Sequence, residues 1–222
     1  MPITTIVKES HKKSVVAAVV RQSSTKPNYF LLLSLATLIT TFGLTLDSES
    51  IIVGGMLMAP LLRPILAFGL AIVTTSFKSI WRSIFGIFTS VGLILLLSYV
   101  VSLTLHPGAY LTNEIITRGV YSNLYIFVAI FSGIGATYTL IDPKIESALP
   151  AVAVSVSLLP PLCVSGIALA QGSKTLLLNS LKIFGANLGG IIVASIFVFL
   201  IFRFSKLKKH EEKEIVKSEK EN

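Results

Sequence analysis

Cysteine and histidine are scarce in this chain of 222 residues. Cys163 is the single cysteine, so an intramolecular disulfide is excluded, and no spacing around it is typical of metal ligands. The three histidines, His11, His106 and His210, lie outside every long apolar run. The sequence also lacks a zinc-protease HExxH motif and a GxSxG nucleophile turn. We therefore predict no metal site, no cofactor and no enzymatic activity.

Acidic side chains are missing from the apolar runs, and these runs dominate the sequence. Apolar residues make up 53% of the chain, and charged residues only 14%. Several runs reach the length of roughly 20 apolar residues that a helix needs to cross the hydrocarbon core of a bilayer. This composition predicts an α-helical protein that crosses a membrane several times.

Six segments are predicted to cross the membrane. They are residues 29–46, 51–75, 80–105, 123–141, 148–170 and 176–202. Residues 1–28 form a basic N-terminal segment that contains a short helix on the membrane surface. Residues 29–202 are the membrane domain, with halves 29–105 and 123–202. Residues 203–222 form a charged tail, typical of disorder or a frayed helix.

The distribution of lysine and arginine predicts the orientation. The net charge is +8, and most of the excess lies in the two tails and the short loops. Basic residues accumulate on the cytoplasmic side of membrane proteins, so both termini are predicted to be cytoplasmic. Contact with anionic lipids explains this charge, and nucleic acid is not an expected partner.

Two of the six segments contain prolines at matching positions. At a shift of 100 residues Pro60 aligns with Pro160, and each half consists of a plain, a proline-containing and a plain segment. Three crossings is an odd number, so the second half enters from the opposite side. We predict an all-α integral membrane fold of six transmembrane helices in a 3+3 inverted repeat. Its second helix is broken at Pro60 and Pro64, and its fifth at Pro160 and Pro161. Simple kinks that help helices pack are the alternative.

Arg63 lies between the prolines of the second segment. A charge at the centre of a bilayer costs about 2.5–3.5 kcal/mol on insertion scales, and such residues usually face a cavity or a partner. Near the membrane midplane, beside the start of a half-helix, its guanidinium would suit an anion. In a re-entrant segment it would instead extend to the membrane surface.

Other polar and small residues in these segments are candidates for a solute pathway. The predicted set is Arg63, Pro60, Pro64, Gly54, Gly55, Pro160, Pro161, Ser157, Cys163, Ser165 and Asn187. Glycines of this kind are more often helix-packing contacts, and serine hydroxyls also bond to their own helix. Cys163 is by default a small buried hydrophobe. Asn187 suits a contact between helices as well as it suits a pore lining.

Two motifs resemble domain-of-unknown-function family 389, a family of uncharacterised prokaryotic hydrophobic membrane proteins. They are IIVGGMLMAPLLRPI at 51–65, with DSESIIVGGM leading into it, and LPAVAVSVSLLPPLCVSGIALA at 149–170. The resemblance extends over about residues 29–202. It implies a location in the prokaryotic inner membrane and no particular activity.

The architecture favours transport. We predict a membrane channel or transporter for a small solute or ion, with an anion among the candidates and with selectivity at Arg63 and the ends of the broken helices. A homo-oligomer surrounded by membrane lipids is expected. The alternative is a non-transporting scaffold or sensor that binds lipid or a cytosolic partner through its basic tails.

Overall fold

The structure is a computed structural model that describes residues 9–22, 27–105, 111–142 and 148–220, without the side chains of 22, 105, 148–156 and 218–220. Every regular element in these residues is helical. The helices are α1 (Glu9–Gln22), α2 (Pro27–Thr45), α3 (Glu49–Met58), α4 (Leu62–Thr74), α5 (Phe77–Leu105), α6 (Asn113–Thr117), α7 (Leu124–Ile141), α8 (Ala148–Ala170), α9 (Lys174–Ile201) and α10 (Lys208–Lys220), with a 3₁₀ helix (Phe204–Leu207) before α10. The predicted loops at 106–110 and 143–147 lie outside the described residues.

The helices are compatible with a multi-pass membrane protein. Four of them, α2, α5, α7 and α9, are long and apolar enough to cross a bilayer. The bent pair of α3 and α4 would make a fifth span. Helix α8 has 23 residues, and its described apolar part is Ser157–Ala170. The structure therefore has four to five candidate membrane spans.

Helix α8 occupies the centre of the bundle. It packs against α9, α5, α7, α2 and α3, and more lightly against α4. Because neighbours surround it, most of the described apolar side chains of α8 are shielded; Leu158, Leu159, Leu162, Val164 and Ile167 are fully buried. The core of the protein is therefore built around the helix that carries Pro160 and Pro161.

The helix ends meet in two groups. In the first group, the turn after α2 meets α6: Asp47 Oδ1 accepts a hydrogen bond from the Glu114 N–H at 2.8 Å, and Thr112 Oγ1 donates to Leu44 O at 2.7 Å. The start of α9 belongs to this group, since Leu176 lies against Gly119. We call this end of the bundle the α6 end.

At the opposite end the two terminal helices pack on the bundle. His11 Nε2 donates to Ile141 O at the end of α7, at 2.8 Å. His210 Nε2 donates to Lys13 O at 3.1 Å and joins α10 to α1. The end of α4 joins the same group, because Thr74 Oγ1 donates to Glu211 of α10. We call this the α10 end.

Both terminal segments differ from their predicted form. The valines of α1, which would lie against lipid in a surface helix, are buried against the 3₁₀ helix and the α4 and α9 part of the core. The charged tail is not frayed within the described residues: α10 is a 13-residue helix whose Glu211 and Ile215 are fully buried. One buried position in each turn of α10 is enough to dock a helix that is otherwise strongly polar.

Candidate functional site

The segment with Pro60 and Pro64 consists of two helices in the structure. Helix α3 ends at Met58, α4 begins at Leu62, and their axes differ by 50°. Ala59 is extended, with φ −71° and ψ 119°, as expected for a residue that precedes proline. Pro64 is the third residue of α4, in the first turn, where an amide N–H has no partner within the helix. Pro60 thus lies at the interruption between α3 and α4, whereas Pro64 lies in the first turn of α4, where a proline is tolerated.

Arg63 lies on the outer surface of the protein rather than in its interior. Its side chain is exposed, although the residues on either side of it, Leu62 and Pro64, are buried. The guanidinium acts electrostatically on the Tyr29 hydroxyl, which is hydrogen-bonded to Ser90 Oγ at 2.7 Å. Arg63 forms no ion pair among the described residues. Within the chain, Arg63 therefore lies near the first turn of α2. Its exposed side faces the surroundings of the protein.

The two predicted glycines of α3 differ in their surroundings. A Cβ at Gly55 would lie 2.9 Å from both Ala36 O and Thr40 N, and closer still to Thr40 Oγ1. A Cβ at Gly54 would have nothing within 4 Å. Gly55 therefore allows α2 and α3 to pack closely, and Gly54 lies beside open space.

The break predicted at Pro160 and Pro161 is wrong. Both prolines lie inside the continuous helix α8. Pro161 cannot donate to Ser157 O, the acceptor four residues earlier. Asn187 Nδ2 of α9 donates to that oxygen instead, at 2.7 Å. The side chain of a neighbouring helix thus replaces the missing backbone donor, so the helix continues.

The polar residues of α8 are buried beside this substitute bond. Ser165 Oγ donates to Pro161 O at 2.8 Å and shares a hydrogen bond of 2.8 Å with Ser180 Oγ. Cys163 is fully buried in the apolar core. Cys163 and Ser165 therefore lie in packed protein, whereas Ser157, Pro161 and Asn187 of the predicted set line a cavity between the described helices.

That cavity has a volume of about 140 Å³ and lies between α7, α8 and α9. Its lining residues are Arg118, Tyr125, Val128, Ser157, Pro161, Ile183 and Asn187. Its two lining residues on α9, Ile183 and Asn187, are four residues apart, and Asn187 lies about 20 Å from the start of α9 at 1.5 Å per residue. The cavity thus has Asn187 in the middle of the bundle and Arg118, from the α6 end, among its lining residues.

The two ends of the cavity are chemically different. Near the α6 end, Arg118 is paired with Glu114, with Nε and Nη2 at 3.0 and 2.9 Å from Oε2. At the inner end Asn187 Oδ1 is buried and has no hydrogen-bond partner among the described residues. The walls between them are largely apolar. This combination of an apolar wall with a few polar groups is typical of small-molecule sites.

Sequence reasoning missed Arg118 and Tyr125. The available signal was the spacing of Glu114 and Arg118, four residues apart, which favours an ion pair on one helical turn. Nothing in the sequence indicated that this pair lies over the same cavity as Asn187. Arg63, predicted to share one pathway with Asn187, is not among the described residues that line this cavity.

Comparison with known proteins identifies the family. The family model described as "Domain of unknown function (DUF389)" matches residues 56–215. The chain belongs to the DUF389 family. The match includes α4 with Arg63, the central helix α8, Asn187 and the docked part of α10.

One curated relative can be compared with this DUF389 chain. It is the "Uncharacterized protein MJ0678" of Methanocaldococcus jannaschii, 27% identical over 189 residues, which are 83% of this chain and 57% of the relative. The chain therefore spans little more than half the length of that relative. No solved structure matches. The DUF389 description and the relative's name assign no activity, so a function must be argued from the site.

Proposed function

We propose that this protein is a membrane channel or transporter for a small solute or ion. In this proposal α8 also crosses the membrane, as the fifth of six crossings along the chain, and the α3–α4 pair is one interrupted crossing. The first half then begins at the α10 end and finishes at the α6 end, and the second half runs the opposite way. The contacts of Asp47 with α6 and of His11 with α7 support this alternation.

The cavity that ends at Asn187 carries the proposal. Irregular hydrogen bonding within a membrane is tolerated where the groups are buried in protein or line a wet cavity. Here the irregular position, Ser157 O beside Pro161, belongs to residues that line a cavity within the bundle. Substrate sites of transporters lie near the membrane midplane, beside helices with irregular backbone, so this cavity is the best candidate for a solute site.

Arg63 supports an assembly of several copies. It lies about 16 Å along α4 from Thr74, at 1.5 Å per residue, and α3 adds about 15 Å on the other side. The chain has no carboxylate within the apolar part of any predicted span that would neutralise it. Because an exposed guanidinium in lipid is unfavourable, we infer that copies of the chain enclose it around hydrated space. Such a space would favour an anionic solute.

The location follows from the same arrangement. We place the α10 end, with both termini, in the cytoplasm of a prokaryotic cell and the α6 end outside, because the basic residues concentrate at the α10 end. Membrane lipids are then the surrounding partner, and the proposal assigns no catalytic role to any residue.

The cavity can be tested by blocking it. We expect Val128→Trp to fill the cavity and abolish solute flux in proteoliposomes, in a screen of small anions, cations and neutral solutes. Phe127→Trp is the matched control, since Phe127 is equally exposed (56%, against 53% for Val128) but does not line the cavity. Equal flux in both variants would exclude this route. Absence of flux for every solute in the unmodified protein would exclude transport.

A second function is favoured by one observation at the α10 end. Lys209, Lys213 and Lys217 follow each other at four-residue spacing and line one shallow groove on α10. Such a basic face suits anionic lipid headgroups or a cytosolic partner, as in a membrane scaffold or sensor. Substituting the three lysines with alanine should then weaken binding of anionic-lipid vesicles without changing solute flux.

A further inference from the structure

Glu211 is a buried carboxylate at the contact between α10 and the turn that joins α4 to α5. It is fully buried, and Thr74 Oγ1 donates a hydrogen bond to its Oε2. The hydroxyl of Ser79 also faces the carboxylate. Ser76 lies in the same turn, between these two residues, and is itself fully buried. Three hydroxyl-bearing residues and one carboxylate are thus brought to one turn.

Two oxygens of this cluster have no partner. Glu211 Oε1 and Ser76 Oγ are buried and form no hydrogen bond to any described residue. Leaving a buried polar atom unpaired costs about 1–3 kcal/mol, and more when the group is charged. A ligand that is coordinated by oxygen would satisfy both atoms.

The helix ends around the carboxylate have opposite polarities. The C-terminus of α4 carries partial negative charge, whereas the first turn of α5, which contains Ser79, and the first turn of α10, which contains Glu211, carry partial positive charge. Burial raises the pKa of Glu211, the Ser79 and Thr74 hydroxyls oppose this, and the neighbouring carboxylate of Glu212 adds to it. The carboxylate is held by hydroxyl groups, and a bound cation would neutralise it in its ionised form.

From these observations we propose that Glu211, Ser76, Ser79 and Thr74 form a binding site for a small monovalent cation such as Na⁺. Oxygen ligands are those that hard cations prefer, and ends of half-helices coordinate Na⁺ in membrane transporters. One carboxylate matches one positive charge, whereas divalent cations are usually held by more.

The site would act on α4. Its ligands hold the C-terminus of α4 to α10, and Arg63 lies near the N-terminus of the same helix. Cation binding would thus stabilise one position of the helix that carries Arg63. This inference does not depend on the proposed transport, since the protein would bind the cation whether or not a solute passes through it.

Thermal unfolding of the purified full chain tests the site directly. At constant pH and ionic strength, we expect the unfolding midpoint to rise with NaCl and to saturate, relative to N-methylglucamine chloride. Glu211→Gln should abolish this rise, whereas Glu212→Gln, at an adjacent exposed carboxylate, should retain it. Ser76→Ala should weaken the apparent affinity about tenfold, the equivalent of 1.4 kcal/mol. Direct binding of radioactive Na⁺ should follow the same order in all variants.

Several results would overturn the proposal. One is an unfolding midpoint that does not depend on the monovalent cation, and another is an equal rise in the unmodified protein and in Glu211→Gln. A rise with Mg²⁺ or Ca²⁺ but not with Na⁺ or K⁺ would assign the cluster to a different ion. Should Glu211→Gln fail to fold, Ser76→Ala alone decides, since an unchanged affinity in that variant contradicts the site.

Discussion

The two proline-containing segments of this chain have opposite structures. The segment with Pro60 and Pro64 is divided into two helices at 50°, and the segment with Pro160 and Pro161 is one continuous helix. Both were expected to break. In α8, Pro161 cannot donate to Ser157 O, and this oxygen accepts a hydrogen bond from the Asn187 side-chain amide instead. Helix α8 is also surrounded by other helices of the protein. Next to Pro60, Ala59 is extended and Arg63 is exposed. A proline removes a donor, and the neighbouring helix decides whether the chain bends.

The largest effect is expected at the close contact of the interrupted segment with α2. Gly55→Ala should destabilise the protein by about 3 kcal/mol, the upper end of the usual range for overpacking, because two of the atoms in the way belong to the backbone. Gly54→Ala should change stability little, since its Cβ would meet nothing within 4 Å. The measurement is the thermal unfolding midpoint of the purified protein. Equal midpoints for the two variants would show that α2 and α3 are not in this contact.

A double-mutant cycle tests the substitute hydrogen bond in α8. Asn187→Leu leaves Ser157 O without its donor and should cost about 2 kcal/mol, within the range for an unpaired buried group. Pro161→Ala restores a backbone N–H to the same oxygen, so Asn187→Leu should cost less in that background. The non-additivity, read from unfolding midpoints, measures the pairing. Strictly additive effects would mean that Asn187 stabilises the protein in another way.

The third prediction concerns the bend itself. Pro60→Ala removes the restriction on Ala59 and should reduce the angle between α3 and α4, with a stability change below about 1 kcal/mol. Spin labels at Ser50 and Thr75, both exposed, would report the change as a longer distance. Pro160→Ala is the control, since α8 is already continuous. An unchanged distance in Pro60→Ala would mean that packing, not proline, sets the bend.

The smallest effect is expected from pH at the far end of α4. Burial raises the pKa of Glu211, so the docked form holds more protons than the unfolded chain between the ordinary and the raised pKa. Stability in N-methylglucamine buffer should therefore fall as pH rises through this window. Glu211→Gln should reduce the fall, whereas Glu212→Gln, which removes only the smallest cause of the raised pKa, should retain most of it. A fall of the same size in all three proteins would place the titrating group elsewhere.

The sequence predicted the features that depend on composition and periodicity. Apolar runs near 20 residues correctly indicated membrane-compatible helices, and the motifs at 51–65 and 149–170 indicated the family. Features that depend on tertiary contacts were missed. Asn187 follows Pro161 by 26 residues, and no local pattern shows that its amide reaches Ser157 O. The burial of Glu211 could not be predicted either. The sequence of α10 shows only mixed charge, and Glu211 is buried because α1 and the α4–α5 turn pack against this helix.

The Asn187 bond also has a consequence for biogenesis. If α8 crosses the membrane, as we propose, it is synthesised before α9, and the Ser157 carbonyl would then lack the hydrogen bond that the Asn187 amide donates. Entry of α8 alone into lipid would therefore be unfavourable. Insertion of α8 and α9 as a pair would avoid this cost.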